Sequence, residues 1–230
     1  MNKIAVIPAR AGSKRIPKKN IKPFLGVPMI ARAIRVAKES ELFSDIVVST
    51  DDEDIAAISR QHGANTPFVR PDYLADDFTG TSPVVIHAIS ELKKNLSDIE
   101  YVCCIYPCTP LLTANDLIRG YEMMRSFNPD FVFPVVEYSH PVQRSFRLGL
   151  HGAINFLHPE YEMSRTQDLE RTYHDAGQFY WGKKDSWLMG KRMHGDGLGM
   201  VIPAWRVVDI DTEQDWKMAE LIFQTIKLGI

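Results

Sequence analysis

The sequence predicts an α/β protein with a mostly parallel central sheet held between layers of helices. Three observations carry that expectation. Short apolar runs of strand length alternate with segments whose apolar residues recur at helical spacing. The first run, Lys3-Ile4-Ala5-Val6-Ile7-Pro8, is continuous rather than alternating, as a strand buried on both faces requires. It leads straight into a Gly- and Ser-containing loop crowded with cations. At that position α/β proteins bind polyanions through backbone N–H groups and Lys or Arg.

The elements follow in order. Pro28 suits a first helical turn, after which Ile30, Ala33, Ile34 and Ala37 share one face. Residues 46–50 read as the second strand. Asp51 and Asp52 are candidate caps for the helix bearing Ile55, Ala56 and Ile58, and Gly63 can end it. Pro83 opens a helix with Val85, Ala88, Ile89 and Leu92 facing inward. Residues 101–105 form a third strand. Thr113 or Asn115 caps the helix of Leu117, Ile118, Tyr121 and Met124, and residues 131–136 form a fourth strand. From 137 to 172 the rhythm breaks into short apolar runs, with Gly149 and Gly152 marking a hairpin turn. It resumes with strands at 178–181 and 207–211. A last helix runs from about Glu213 to Lys227, with Trp216, Ala219, Phe223 and Ile226 facing in. The expected organisation is one α/β domain, residues 1–136 and 173–230, with an insertion at 137–172.

Charge is distributed unevenly. The first 38 residues hold ten basic and no acidic residues, whereas the remainder holds seventeen basic against twenty-nine acidic. Six of the ten cations lie between Arg10 and Lys22. Positive charge focused at one place in a chain of net charge −2 suits a small anionic ligand better than nucleic acid. No aromatic residue interleaves those cations, so base stacking is not offered. Cys103, Cys104 and Cys108 form no disulfide framework and no zinc spacing, which points to reduced thiols in a cytoplasmic protein. No signal peptide and no apolar segment of membrane-spanning length is expected.

Asp209 and Asp211 flank Ile210. On a strand they would point to one side, and two converging carboxylates suit a Mg²⁺ that also takes phosphate oxygens and water. The simpler reading gives Asp211 a helix-capping role and Asp209 a Lys partner.

The basic loop lacks the spacing of either common phosphate loop. Its run Ile7-Pro8-Ala9-Arg10-Ala11-Gly12-Ser13-Lys14-Arg15-Ile16-Pro17-Lys18-Lys19-Asn20 resembles the signature of cytidylyltransferases that activate acidic sugars, the CMP-sialic acid synthetase group. Matches continue in order along the chain: Ser49-Thr50-Asp51-Asp52, Arg70-Pro71 with Leu74-Ala75-Asp76-Asp77, Pro110-Leu111-Leu112, and Asp209-Ile210-Asp211-Thr212. Within the group the chain looks most like pseudaminic acid cytidylyltransferases. Tyr106 stands where sialic acid enzymes usually carry Gln, and Tyr173-His174-Asp175-Ala176-Gly177-Gln178-Phe179-Tyr180-Trp181 replaces an Asn-Gly-Ala-Ile-Tyr-type run. Cys108 and the Leu111-Leu112 pair depart from the pseudaminic pattern.

The resemblance implies a three-layer Rossmann-like nucleotidyltransferase fold in which residues 137–172 form a small dimerisation arm of a homodimer. It implies that CTP and a nonulosonic sugar acid react to a CMP-sugar and pyrophosphate with Mg²⁺ as cofactor. Ala9, Arg10, Ala11, Gly12, Ser13, Lys19 and Asn20 would hold the nucleotide, with Arg70 and Thr81 or Ser82 on the cytosine side. Lys19, Arg10 and Asp211 would be catalytic, and Asp209 and Asp211 would hold the metal. Tyr106, Gln143, Arg165, Gln178 and Tyr180 would bind the sugar, an arm arginine reaching across the dimer to its carboxylate. Alternative sugars are N-acetylneuraminic and legionaminic acid. An RNA-binding protein and a catalytically dead ligand sensor are the competing non-enzyme readings.

Overall fold

The computed structural model describes residues 2–92 and 98–228, and it places the first apolar run one strand in from a sheet edge. The chain runs β1 (Asn2–Pro8), β2 (Pro23–Phe24), β3 (Val27–Pro28), α1 (Met29–Glu39), β4 (Asp45–Ser49), α2 (Glu53–Gln61), α3 (Thr81–Leu92), β5 (Ile99–Ile105), α4 (Ala114–Phe127) and β6 (Phe131–Glu137). It continues through β7 (Phe146–Leu148), β8 (Ile154–Phe156), β9 (Tyr173–Asp175), β10 (Phe179–Lys183), α5 (Lys184–Leu188), β11 (Gly197–Val201) and α6 (Glu213–Leu228). The main sheet has the order β11-β6-β10-β5-β1-β4, with β9 added to β6. β1 pairs in parallel with both β4 and β5, and β11 in parallel with β6. β10 lies antiparallel between β5 and β6.

Alternation along β1 builds the layers. Ala5 and Ile7 join one core cluster with Ile30 and Ile34 of α1, Ile55 of α2 and Leu117 of α4. Ile4 and Val6 join another with Val85 and Ile89 of α3 and Trp187 of α5. Both faces of the strand are therefore buried, which explains its unbroken apolarity. The Asp52 carboxylate caps α2 by accepting from the N–H of Ile55. At α4, Asp116 accepts from the N–H and hydroxyl of Thr113. Pro28 ends the β2–β3 ribbon and precedes α1 rather than sitting within its first turn.

Two further expectations need correction. Residues 207–211 are not a strand; they follow a short turn at Ala204–Arg206 as irregular chain. Their apolar residues have another use: Val207 packs on the first cluster, and Val208 and Ile210 pack on a third. The edge strand is instead β11, whose signal is diluted by Gly197 and Gly199. A Cβ at Gly199 would sit 2.9 Å from Val135 Cγ2, and one at Gly197 would sit 2.4 Å from the carbonyl oxygen of Met193. Close packing requires those glycines, and they hide the strand. Finally, Ile226 is exposed; α6 buries Trp216 and Ala219, with Phe223 half-buried beside them.

The third cluster joins Ile16 of the basic loop, Phe24, Met29, Ile210, Trp216 and Ala219. Phe24 meets Trp216 edge-on at 5.5 Å. It fastens the loop after β1 to the segment before α6. Trp216→Ala is therefore expected to destabilise the fold by about 3–5 kcal/mol, as for large-to-small core substitutions generally. Denaturant unfolding measures this, and a change below ~1 kcal/mol would show that the cluster is not tightly packed.

A cleft that joins the basic loop to residues 206–211

The backbone first aims the loop. The N–H of Ala9 continues the β1–β4 ladder by donating to the Ser49 carbonyl at 2.9 Å. The N–H of Ala11 donates to the Asp51 carboxylate at 3.0 Å. Asp51 thus anchors the loop, and Asp52 alone caps α2. Asn20 Nδ2 donates to the Arg10 carbonyl at 2.9 Å, closing the loop across its base. The Cys108 thiol reaches Asn20 Oδ1 at 3.3 Å. Burial pushes this thiol up to about 12 against the opposing pull of Lys19, so it stays a neutral donor.

Every cation of the loop has a carboxylate partner. Arg10 donates to Asp77 at 2.7 Å and to the Asp76 carbonyl at 2.9 Å, and Lys14 pairs with the same Asp77. Arg15 pairs with Asp211 at 2.7 Å, Lys18 with Asp54 at 3.0 Å and Lys22 with Glu213 at 2.6 Å. Lys19 Nζ donates to the Ile210 carbonyl at 2.7 Å and lies 3.6 Å from Asp211. Hydrogen bonds from Lys14 and Arg10 hold the Asp77 carboxyl below the usual carboxylate range.

Of these groups Arg10, Lys14, Arg15, Lys19, Asp77 and Asp211 border a cleft of about 880 Å³ beyond the C-terminal ends of β1 and β5, where ligands of open α/β sheets bind. Its lining brings together Arg10, Gly12, Ser13, Lys19, Asn20, Arg70, Tyr106, Gln178, Asp209 and Asp211. Asp209 is exposed. Arg70 is almost fully buried, with Nε donating to Ser49 Oγ at 3.1 Å and Nη2 to the Ser49 carbonyl. Burial lowers its pKa to about 10, so it remains charged at neutral pH.

Six residues expected at the site do not line this cleft within the one chain. Ala9 is fully buried behind the loop, and Ala11 serves the Asp51 anchor. Ser82 borders a separate hollow with residues 190–195, and its neighbour Thr81 lines the cleft instead. Tyr180 sits behind the wall with its hydroxyl on Asp175. Gln143 and Arg165 belong to the inserted segment, bonded to the Glu170 carbonyl and to Asp168. Distance along the chain had hidden other residues that do line the cleft, among them Asp77, Asp175 and Arg206. Asp77 and Asp175 lie in runs that the sequence already marked. Arg206 lies in none.

Among the described residues no three His, Cys, Asp or Glu side chains are grouped as a metal site, and no helix is long and apolar enough to cross a membrane.

The sequence profile described as "Cytidylyltransferase" matches residues 4–179. A pseudaminic acid cytidylyltransferase of Campylobacter jejuni is 39% identical over 225 residues, covering 97% of each chain. An N-acylneuraminate cytidylyltransferase A of Danio rerio is 31% identical over 94% of this chain and 49% of its own. The solved structure of a CMP:2-keto-3-deoxy-manno-octonic acid synthetase complexed with CTP superposes with a TM-score of 0.72 at 15% identity, covering all of both chains.

Arg206 is held by the nearly inaccessible Asp116, with Nη1 at 3.0 Å from Oδ1. Burial alone would raise the Asp116 carboxyl, but the hydrogen bonds and charge of Arg206 and the donors of Thr113 outweigh it and hold the carboxyl low. A depressed carboxylate contributes stability that is complete above its unfolded pKa of about 3.9 and is lost as pH falls through the folded value. Acid unfolding of Asp116→Asn should therefore show a shallower loss of stability below about pH 4 than the parent, along with a lower stability at neutral pH. Equal slopes would mean that the pair does not couple to folding.

Proposed function

Because the chain belongs to the cytidylyltransferase family, we propose that it transfers CMP from CTP to a nonulosonic sugar acid, pseudaminic acid first among candidates. The identity to the pseudaminic acid enzyme, 39% over almost the whole of both chains, is the observation that favours this sugar over N-acetylneuraminic acid. The anomeric hydroxyl of the sugar attacks the α-phosphorus in line. A sugar O–P bond forms, the bond to the β-phosphate oxygen breaks, pyrophosphate departs and the hydroxyl proton goes to solvent.

Negative charge grows on the α-phosphate and on the leaving pyrophosphate, and preorganised cations lower that barrier. Arg10, Lys14 and Arg15 meet the phosphates by leaving their carboxylate partners. The N–H groups around Gly12 and Ser13 add donors, and Asn20 meets the ribose. Lys19, fixed by the Ile210 carbonyl, meets the α-phosphate. Two hard oxygen donors at Asp209 and Asp211, beside the cations of the loop, fit a Mg²⁺ that keeps its other positions for water and phosphate. Bound there, the ion would supply further neutralisation of phosphate charge. The reaction would proceed in the cytoplasm without nucleic acid or membrane.

The inserted segment supports a homodimer. Its β7–β8 hairpin leaves Phe146, Leu148, Leu150 and Ile154 exposed, and Met163 is 92% accessible. A symmetric second copy is the commonest cover for such a surface. In that dimer Arg165 would reach the neighbouring cleft and grip the sugar carboxylate, with Gln143 beside it.

Incubation with CTP, Mg²⁺ and a panel of pseudaminic, legionaminic and N-acetylneuraminic acids, followed by pyrophosphate release, tests the activity and its sugar. Lys19→Ala is expected to lower kcat by about 10²–10³ with a small change in KM for CTP. A rise in KM alone would make Lys19 a binding residue. Asp211→Asn should fold normally and lose nearly all turnover at low Mg²⁺; near-normal turnover there would refute the metal assignment. Mixing Arg165→Ala with Asp211→Asn should restore part of the activity, since a mixed dimer holds one site with both residues intact. An active monomer in light scattering at micromolar concentration would remove the dimer.

A further inference from the structure

We propose that the Asp77 carboxylate is a built-in competitor for the phosphate tail of the nucleotide: it holds Arg10 and Lys14 until a triphosphate arrives, yields them to that tail, and takes them back to expel pyrophosphate. This rests on the cytidylyltransferase reading above, in which those cations meet the phosphates.

The chain around Asp77 fixes where its carboxylate sits. Leu74 is buried and α3 begins at Thr81, so both ends of the intervening segment are anchored. Between them the Asp76 carboxylate accepts from the N–H of Phe78 at 3.0 Å and from that of Thr79 at 2.6 Å. The Thr79 hydroxyl donates to the Tyr73 carbonyl at 3.2 Å. The segment is thus a strap tied within itself, and Asp76, Asp77, Thr79 and Gly80 line the cleft. Two of its residues grip the basic loop. Arg10 Nη1 donates to Asp77 Oδ1 at 2.7 Å and to the Asp76 carbonyl at 2.9 Å, and Lys14 Nζ pairs with Asp77 Oδ2. Each Asp77 oxygen takes one cation, as two oxygens of a phosphate would.

Charge and tethering decide which anion wins. Hydrogen bonds from Lys14 and Arg10 hold the Asp77 carboxyl below the usual carboxylate range, so it is ionised at neutral pH. One carboxylate faces two cations, which leaves a positive surplus that a more highly charged oligophosphate uses better. The carboxylate has a different advantage. It belongs to the chain and competes at a high effective concentration however dilute the ligand. A triphosphate also held through its nucleoside overcomes that advantage. Pyrophosphate, once cut from the nucleoside, does not, and the carboxylate returns. CMP has no tail beyond the phosphate that meets Lys19, so it does not meet the competitor. Lys18 and Asp54 form a similar ion pair at 3.0 Å, and neither residue lines the cleft.

Calorimetry on the full-length protein, with CTP, CMP and inorganic pyrophosphate at fixed Mg²⁺ and ionic strength, tests the competition. Asp77→Asn should tighten CTP and pyrophosphate by about threefold to tenfold and leave CMP within about twofold. Asp77→Ala, which lacks the amide oxygen as well, should repeat the gain. Asp54→Asn removes the same charge outside the cleft and should leave all three ligands within about twofold. In turnover, pyrophosphate should inhibit Asp77→Asn more strongly than wild type by a similar factor, with KM for the sugar unchanged. Unchanged or weaker binding of CTP and pyrophosphate in both Asp77 variants would overturn the inference and make Asp77 a support for Arg10. An equal gain in Asp54→Asn, or an equal gain for CMP, would overturn it as a general effect of charge. The binding arms need no sugar, so a protein that binds CTP but turns over no sugar acid would overturn the activity reading while still deciding this one. Absence of CTP binding in wild type and variants alike would overturn both.

Discussion

A lysine ammonium bonded to a carbonyl 191 residues away makes the cleft a single object. Lys19 leaves the loop after β1 and donates to Ile210, at the far end of the chain. An apolar cluster with Ile16 on one side and Ile210 and Trp216 on the other packs the two stretches of chain together. Hydrophobic burial is non-directional and would tolerate some slippage. The hydrogen bond sets the register. The two together bring Asp211 beside the cations of the loop.

That arrangement also answers an electrostatic problem. Six cations within thirteen residues repel one another, and the protein distributes them over Asp54, Asp77, Asp211 and Glu213. Most of these pairs are solvent-accessible and contribute little to stability. Four of the six cations, Arg10, Lys14, Arg15 and Lys19, are held in this way at the cleft. Buried charge is handled differently. Arg70 and Arg206 are pinned by the backbone and by Ser49 or Asp116, so they shape the walls with little freedom to move.

The opposite wall carries fewer cations, with Arg206 set among neutral and acceptor groups. Thr81, Tyr106, Asp175 and Gln178 line it, Thr81 bonding the Tyr106 hydroxyl, and Tyr180 stands behind with its hydroxyl on Asp175. Chemically the cleft is therefore asymmetric, rich in donors to anions at one end and in acceptors at the other. Such a division suits a reaction between a polyphosphate and a polyhydroxylated acid.

Much of this was legible in the sequence. The buried strand Asn2–Pro8, the apolar faces of α1 to α4 and the break at 137 follow from local periodicity, which is a property of neighbouring residues. The cation-rich loop and the acidic pair near the C-terminus stand out because charge is so unevenly distributed. Tertiary structure alone decided the rest. The antiparallel direction of β10 leaves no mark on its apolar pattern, since a strand buried on both faces reads alike in either direction. The replacement of a strand at 207–211 by β11 turned on glycines needed for close packing, which weaken a strand's own signal. Asp77, Asp175 and Arg206 line the cleft and are held by contacts spanning 67, 19 and 90 residues, and no local pattern encodes a separation of that kind.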